Sequence, residues 1–593
     1  MTHYRAPLDD FRFLIEGLVP ALTATSSPDA WPTAQLVLES AARICENVLE
    51  PLNRSGDESG CCYEAGRVST PPGFAAAFTV VRSCGWLNSS EEGADAVMTT
   101  PTAFCFDEML AAANVAFSNY LGPTKRVAQA LRNLADPELT ATYLEALVSG
   151  RCGGTLCLTE PHCGTDLGLI STRAEATGAL GEYALTGAKI FVTSGEHDLT
   201  ENIVHLVLAR IAGAPGGAKG LSLFLVPKLR PGTDGRALVS NAVLCTGIEH
   251  KMGIRASATC TLRFEGARGV LLGPAGGGLR AIFSIMERER LSIATQSVGL
   301  AEHAFQKARA YARERLQGRA AGGTAQPQLP ADPLIVHADV RRMLLTMKAY
   351  TQGARALLLW TAHFIDVSRH CPNEERRGEA RDLVQLLTPM VKAFVTDICT
   401  EATNLGMQVL GGHGYIRESG MEQLARDVRV TQLYAGANGI QALDLVARKL
   451  PARDGHALEL FMRSLEDSLA ARPESAELAA LTQAVRDGIE RLRSATRLLQ
   501  QEMPHDANLA GSAGYAYLQL FGYVALGVVW AHAAHIAQQR IQEPDAAHTK
   551  DFWSAKIVTA HFYVQHLMPN VERCLASIRA GSAVTMRLSA EAF

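Results

Sequence analysis

The chain has no C-x-x-C pair, no strongly basic stretch, no secretory hydrophobic segment near its first residues and no uninterrupted apolar run of membrane-spanning length. Each absence removes a class of function. Thirteen cysteines in 593 residues include the adjacent pair Cys61-Cys62 but no framework of spaced pairs. With no secretory hydrophobic segment seen, this predicts reduced thiols in a cytoplasm and no metal site. The net charge is −4, and residues 451–593 carry 13 Lys and Arg against 15 Asp and Glu. Neither balance suits a phosphate backbone, so nucleic acid is not an expected partner. The most apolar stretch, GYVALGVVWAHAAHIA (522–537), contains His532 and His535 and is shorter than a membrane span. It reads as a buried helix, and no membrane span is expected.

What is present is ordinary for a globular protein: 47% hydrophobic and 20% charged residues. The length suggests roughly three or four domains. Residues 1–155 read as helical, with apolar residues at helical spacing in AWPTAQLVLESAARICENVLEPLN and LTATYLEALVSG. From 156 to 272 the period changes. TLCLTEP, EYALTGAKIFVTSG, NIVHLVLARI, GLSLFLVP and ATCTLRFEGARGVLLG are short β-rich runs separated by Gly, Pro and Thr turns. They predict a small antiparallel β-domain, sandwich or barrel-like. Helical patterns fill 273–450, and 451–593 adds a further helical layer.

Five motifs stand in order along this frame: LTEPHCGTD (158–166), GAKIFVTSG (187–195), KMGIRASATCTLRFEGA (251–267), YARERLQGRA (311–320) and QVLGGHGY (408–415). Their order and content resemble the acyl-CoA dehydrogenase family. The opening YRAPLDDFRFLIE (4–16) and the tail past 451 resemble its large subfamily, which includes methylmercaptopropionyl-CoA and fatty acyl-CoA dehydrogenases. The resemblance implies an α+β, mainly α fold. A helical N-terminal domain, a middle β-domain and a helical bundle would be followed by an extra C-terminal helical domain. It also implies FAD between the β-domain and the bundle, a homodimer, and an electron-transfer flavoprotein as electron acceptor.

Residue by residue, the resemblance makes Thr159, Gly164, Thr165, Phe191 and Thr193 flavin contacts. Glycine and threonine let backbone and hydroxyls approach a ring and its phosphates, although a purely structural turn uses the same residues. Arg315 and Gln317, with Gln408, Gly411 and Gly412, would reach a partner subunit's flavin. Arg315 is a permanent cation suited to a pyrophosphate, or else part of a solvated helix face. His413 reads as a loop residue rather than a catalyst.

A last absence is local. The loop Ala435-Gly436-Ala437-Asn438-Gly439 follows Tyr434 and contains no acid. In the large subfamily the corresponding motif is Y-E-G-T, and its Glu removes the α-proton of an acyl thioester. Both that Glu and the Thr are missing. Three readings follow. The base has moved to Glu289 in MERERLSIATQSVGLA, which resembles the L-E-R-L segment of isovaleryl-CoA and long-chain acyl-CoA dehydrogenases. Glu287 is a second candidate, about 200° away on the same helix, so only one of the two faces the flavin. Otherwise the chain is a baseless flavoenzyme of desulfinase or oxygen-using type, or a non-catalytic flavin-binding paralogue.

Under the first reading, burial raises the Glu289 carboxyl toward neutrality. Tyr434, Ala435, Gly436 and Arg290 contact the substrate, and the Ala435 N–H polarises the thioester. The space left at Ala435 suits a branched or unusual acyl group in fatty acid metabolism, carried on CoA or a carrier protein.

Overall fold

In a computed structural model, the described residues are 3–23, 30–87, 98–231, 238–470, 475–543 and 548–593. The fold is α+β and mainly helical, with a sheet-containing region in the middle of the chain. Contacts group the chain into two compact units: Ile44–Val97 with Ala113–Glu289, and Met1–Arg43 with Met98–Ala112 and Arg290–Phe593.

The first unit is built on a seven-stranded sheet. Asn202–Ile211 and Leu221–Pro227 pair antiparallel near its middle, and Glu182–Thr193 pairs along most of Thr259–Leu272. The sheet is mixed rather than antiparallel as expected. Cys152–Cys157 and Arg173–Ala176 both run parallel to Asn202–Ile211. The reason is burial on both faces, which NIVHLVLARI already shows as a near-continuous apolar run. Val204, Leu206 and Leu208 pack with Val127 and Leu131 of the Thr100–Leu134 helix. Their alternates Val207 and Ala209 pack with Leu185, Phe224 and Phe264 on the other face. The region expected to be helical also contains a small hairpin, Cys62–Glu64 with Arg67–Ser69.

The second unit is helical. Its long members are Ala338–His370, Glu374–Leu410, Ala476–Glu502 and Leu509–Gln542. Side-chain caps start two of them, Asn373 and Ser475, and Thr549 likewise caps the shorter Lys550–Phe562; each accepts an N–H from the first turn. Leu509–Gln542 contains the apolar run 522–537. This helix and Glu374–Leu410 are long and apolar enough to cross a membrane, but their apolar windows are 100% and 78% buried within the protein. Gly522 meets the Phe394 ring with no room for a Cβ, which seats the extension on Glu374–Leu410.

A buried charge cluster lies in this unit. The Arg355 guanidinium bonds Glu108 at 2.6 and 2.9 Å, Glu302 at 2.6 Å and Asp10 at 3.3 Å, and Lys556 reaches Asp10 at 2.5 Å. Burial pushes the Glu108 carboxyl up to about 7 despite its arginine partner. A charge cluster this deep holds only because every member is paired.

Candidate functional site

In the sheet unit, LTEPHCGTD leaves the Cys152–Cys157 strand as a loop shaped by Glu160. Its carboxylate is buried and accepts from the Ser171 and Thr172 N–H and hydroxyl groups at 2.6–3.0 Å and from Lys189 Nζ at 2.8 Å. These partners hold it down at about 2, against the desolvation that opposes them. Lys189 is fully buried in the Glu182–Thr193 strand, and Ile190 N–H donates to Thr159 O at 2.9 Å. Loop and strand are thereby fixed to one another. Glu160, His162 and Cys163 offer ligand atoms within 4.8 Å of one another. Glu160 already accepts five hydrogen bonds, so the group is a shaped loop rather than an open cation site.

Thr159 is half-buried, while Gly164 and Thr165 are exposed beyond it. Phe191 has φ +56° and is 60% exposed, between half-buried Ile190 and buried Val192 in its strand. A bulky residue in the left-handed region is rare and marks a position with a local task. Thr193, half-buried, pairs with Thr259 in the ladder. Glu289 ends this unit. Its side chain is 19% exposed, and its Oε2 lies 3.8 Å from the buried Arg126 Nε. Arg288 is buried and Glu287 half-buried. Glu289 is therefore not on a solvated face. Its setting combines partial burial with a nearby cation, where burial alone was expected.

In the helical unit, Arg315 does not lie on a helix as expected, and Gln317 follows it in the loop. The helix ends at Glu314, and both residues start a loop closed by Arg315 O to Leu334 N and Gln317 N to Asp332 O. The Asp332 carboxylate, which accepts three backbone N–H groups, competes successfully with helix continuation. Both side chains are exposed. Gln408, Gly411 and Gly412 are exposed as well, and Gly411 has φ +57°. Among the described residues, nothing lies within 4 Å of where a Cβ on Gly411 or Gly412 would stand. His413 Nδ1 is 3.1 Å from the Tyr311 hydroxyl.

The acid-free turn lies in the same unit. Tyr434 donates its hydroxyl proton to Gln296 Oε1. Ala435 has φ +52° and Gly436 φ +91°. Holding an alanine in this region costs roughly 1–2 kcal/mol, which the surroundings must offset. Gln441 Nε2 donates to the Ala435 and Gly436 carbonyls at 3.2 Å each. Lys392, fully buried in the Glu374–Leu410 helix, donates to Gly436 O at 2.9 Å and to Asn438 Oδ1 at 2.8 Å. Burial pushes its amine down to about 7, with Asp397 opposing the shift. Arg290 pairs with Asp444 at 3.2 Å, so its charge is already matched.

Three segments match family descriptions: "Acyl-CoA dehydrogenase, middle domain" over 155–267, "Acyl-CoA dehydrogenase, C-terminal domain" over 276–450 and "Acetyl-CoA dehydrogenase C-terminal like" over 461–589. The chain is 37% identical to 3-methylmercaptopropionyl-CoA dehydrogenase of Ruegeria pomeroyi, covering 95% of this chain and 96% of the relative.

The chain belongs to the acyl-CoA dehydrogenase family.

It is also 30% identical to the broad-specificity linear acyl-CoA dehydrogenase FadE5 of Mycobacterium tuberculosis, over 96% of both chains. Caenorhabditis elegans ACDH-11, solved with C11-CoA, shares the fold at TM-score 0.77 and 17% identity, over 100% of this chain and 97% of the other. Acyl-CoA dehydrogenases are FAD-dependent oxidoreductases acting on CH–CH bonds, and this chain is one of them. The structure fits the cofactor on two observations. Phe191 presents an exposed aromatic side chain beside buried Val192, and the Gly411–Gly412 backbone is open to a close approach. Lys189, Lys392, Gln441 and Asn438 escaped the sequence reading. The available signal was a lysine inside the apolar runs GAKIFV and PMVKAFV, since a buried lysine needs a reason.

Proposed function

We propose that this acyl-CoA dehydrogenase removes the α-proton of an acyl-CoA with Glu289 while the Ala435 N–H donates to the thioester oxygen. A thioester α-proton is weakly acidic, so the reaction needs an aimed base and a donor for the developing enolate oxygen. FAD, when bound, accepts the β-hydride. The observation that carries the reading is the turn itself. Ala435 keeps a left-handed backbone, braced by Gln441 and Lys392, although its side chain has no acid. The geometry that presents an N–H is kept while the carboxylate is gone.

Glu289 suits the vacant role in three ways. It occupies the E-R-L segment, it is three-quarters or more buried, and the Arg126 cation beside it favours the ionised form that accepts a proton. Glu160, the other acid among the motifs, is committed to Lys189, Ser171 and Thr172. The small Ala435 side chain supports a branched or unusual acyl group as substrate. A homodimer, a cytoplasmic setting and an electron-transfer flavoprotein as acceptor complete the proposal, with Arg315, Gln317, Gln408, Gly411 and Gly412 reaching the partner's FAD. The test is anaerobic mixing of the yellow protein with a panel of straight and branched acyl-CoAs. Bleaching of the flavin supports dehydrogenation and ranks the acyl groups. A yellow protein that no acyl-CoA bleaches contradicts it and favours a baseless flavoenzyme.

A further inference from the structure

The turn at Ala435 is held from an unexpected direction. Lys392 and Asp397, five residues apart on the Glu374–Leu410 helix, both reach it. Lys392 takes Gly436 O and Asn438 Oδ1. Asp397 Oδ1 accepts from Asn438 Nδ2 at 2.8 Å and from Gln432 Nε2 at 2.6 Å, so it grips the turn at both ends. Its other oxygen faces the C-terminal extension. Asp397 Oδ2 accepts from the Tyr515 hydroxyl at 2.7 Å and from Gln519 Nε2 at 2.6 Å. Tyr515 and Gln519 are one turn apart on Leu509–Gln542 and meet the same oxygen because residues four apart share a helix face. The carboxylate thus has four donors, two from the turn segment and two from the extension. A carboxylate so held has no rotational freedom left, and neither has the amide of Asn438.

We propose that the extension sets the active turn: Tyr515 and Gln519 fix Asp397, Asp397 and Lys392 fix Asn438 and Gly436, and the Ala435 N–H is thereby aimed at the thioester oxygen. These four are positioning residues, not catalytic ones. The inference rests on the proposed role of the Ala435 N–H. It assigns residues 509–519 a part in the reaction beyond packing.

The test uses FAD-loaded full-length protein and the double variant Tyr515→Phe/Gln519→Leu, which removes both extension donors and keeps their bulk. Three quantities are read. They are kcat and KM with an acyl-CoA that bleaches the wild type, the carbonyl stretch of a carbonyl-labelled acyl-CoA bound to the enzyme, and amide exchange over 432–441. The expected result is a kcat lower by roughly tenfold or more with KM and FAD content within about twofold. The lowered carbonyl stretch moves back toward its free value, and protection at 432–441 is lost.

Wild-type kcat and carbonyl stretch in the variant overturn the proposal. So does a variant that only melts earlier, with unchanged kcat per bound FAD, because a purely packing role predicts that. If the double variant does not fold, Tyr515→Phe alone decides. Removal of one hydroxyl should lower kcat by about threefold and shift the carbonyl in the same sense, and no change in either overturns the proposal. Failure of the parent reading is distinct: there the wild type itself shows no lowering of the carbonyl stretch on binding.

Discussion

The LTEPHCGTD and YAGANG loops are each held by a buried lysine and a carboxylate, but the acid stands in a different place in each. In LTEPHCGTD the carboxylate belongs to the loop, and Lys189 reaches it from the neighbouring strand. In YAGANG both charges lie on the helix beneath, at Lys392 and Asp397, and the loop itself carries none. The first loop cannot lose its acid and keep its shape. The second loop can, because its shape is set from outside. That difference explains how position 435 can hold alanine without collapse of the turn. It also explains why Glu160, the acid of LTEPHCGTD, is scaffold rather than base.

The comparison breaks most visibly at Lys189. Lys189→Met leaves Glu160 buried without its cation, and should cost about 3–5 kcal/mol of stability with loss of bound FAD, read by denaturant unfolding and by absorbance. Lys392→Met should be milder in stability, about 1–2 kcal/mol, because its amine is already strongly penalised by burial. Its effect should fall on kcat instead, since the turn loses two of its anchors. Equal stability losses for the two variants, or a Lys392→Met enzyme with wild-type kcat, would erase the distinction between a scaffold pair and an aiming pair.

A smaller effect separates the two by pH. Glu160 is held at about 2, below its ordinary 4.5, so its stabilisation is complete above about 4.5 and is lost as pH falls through about 2. Lys392 is held at about 7, below its ordinary 10.5. Between those values the unfolded chain binds the proton and the folded chain does not, so this residue's contribution to stability rises with pH through that window. The melting-temperature gap between wild type and Lys392→Met should therefore widen from pH 7 to pH 10. A gap that stays constant or narrows contradicts the placement of the amine.

Much of this was legible in the sequence where the signal is local. Helical and strand periods mark the α+β fold, the ordered motifs include LTEPHCGTD, and the departure from Y-E-G-T marks the other loop. Non-local pairings were not legible. The sheet takes two parallel neighbours because Asn202–Ile211 is buried on both faces, which an apolar run suggests but does not orient. Arg355 gathers Asp10, Glu108 and Glu302 from positions 345, 247 and 53 residues away, and no spacing encodes that. Arg315 looked helical because YARERL has helical spacing, yet Asp332 draws the chain out of the helix one residue earlier. The grip of Tyr515 and Gln519 on Asp397 likewise joins residues over a hundred positions apart.

The central claim is that the acid missing from the turn is supplied by Glu289. Its most direct test is anaerobic flavin bleaching by an acyl-CoA in Glu289→Gln, and in the same protein with Ala435→Glu added. The account predicts that Glu289→Gln keeps its FAD and loses bleaching by roughly a thousandfold or more. Restoring an acid at 435 should bring part of it back. Bleaching of Glu289→Gln at the wild-type rate would contradict the account.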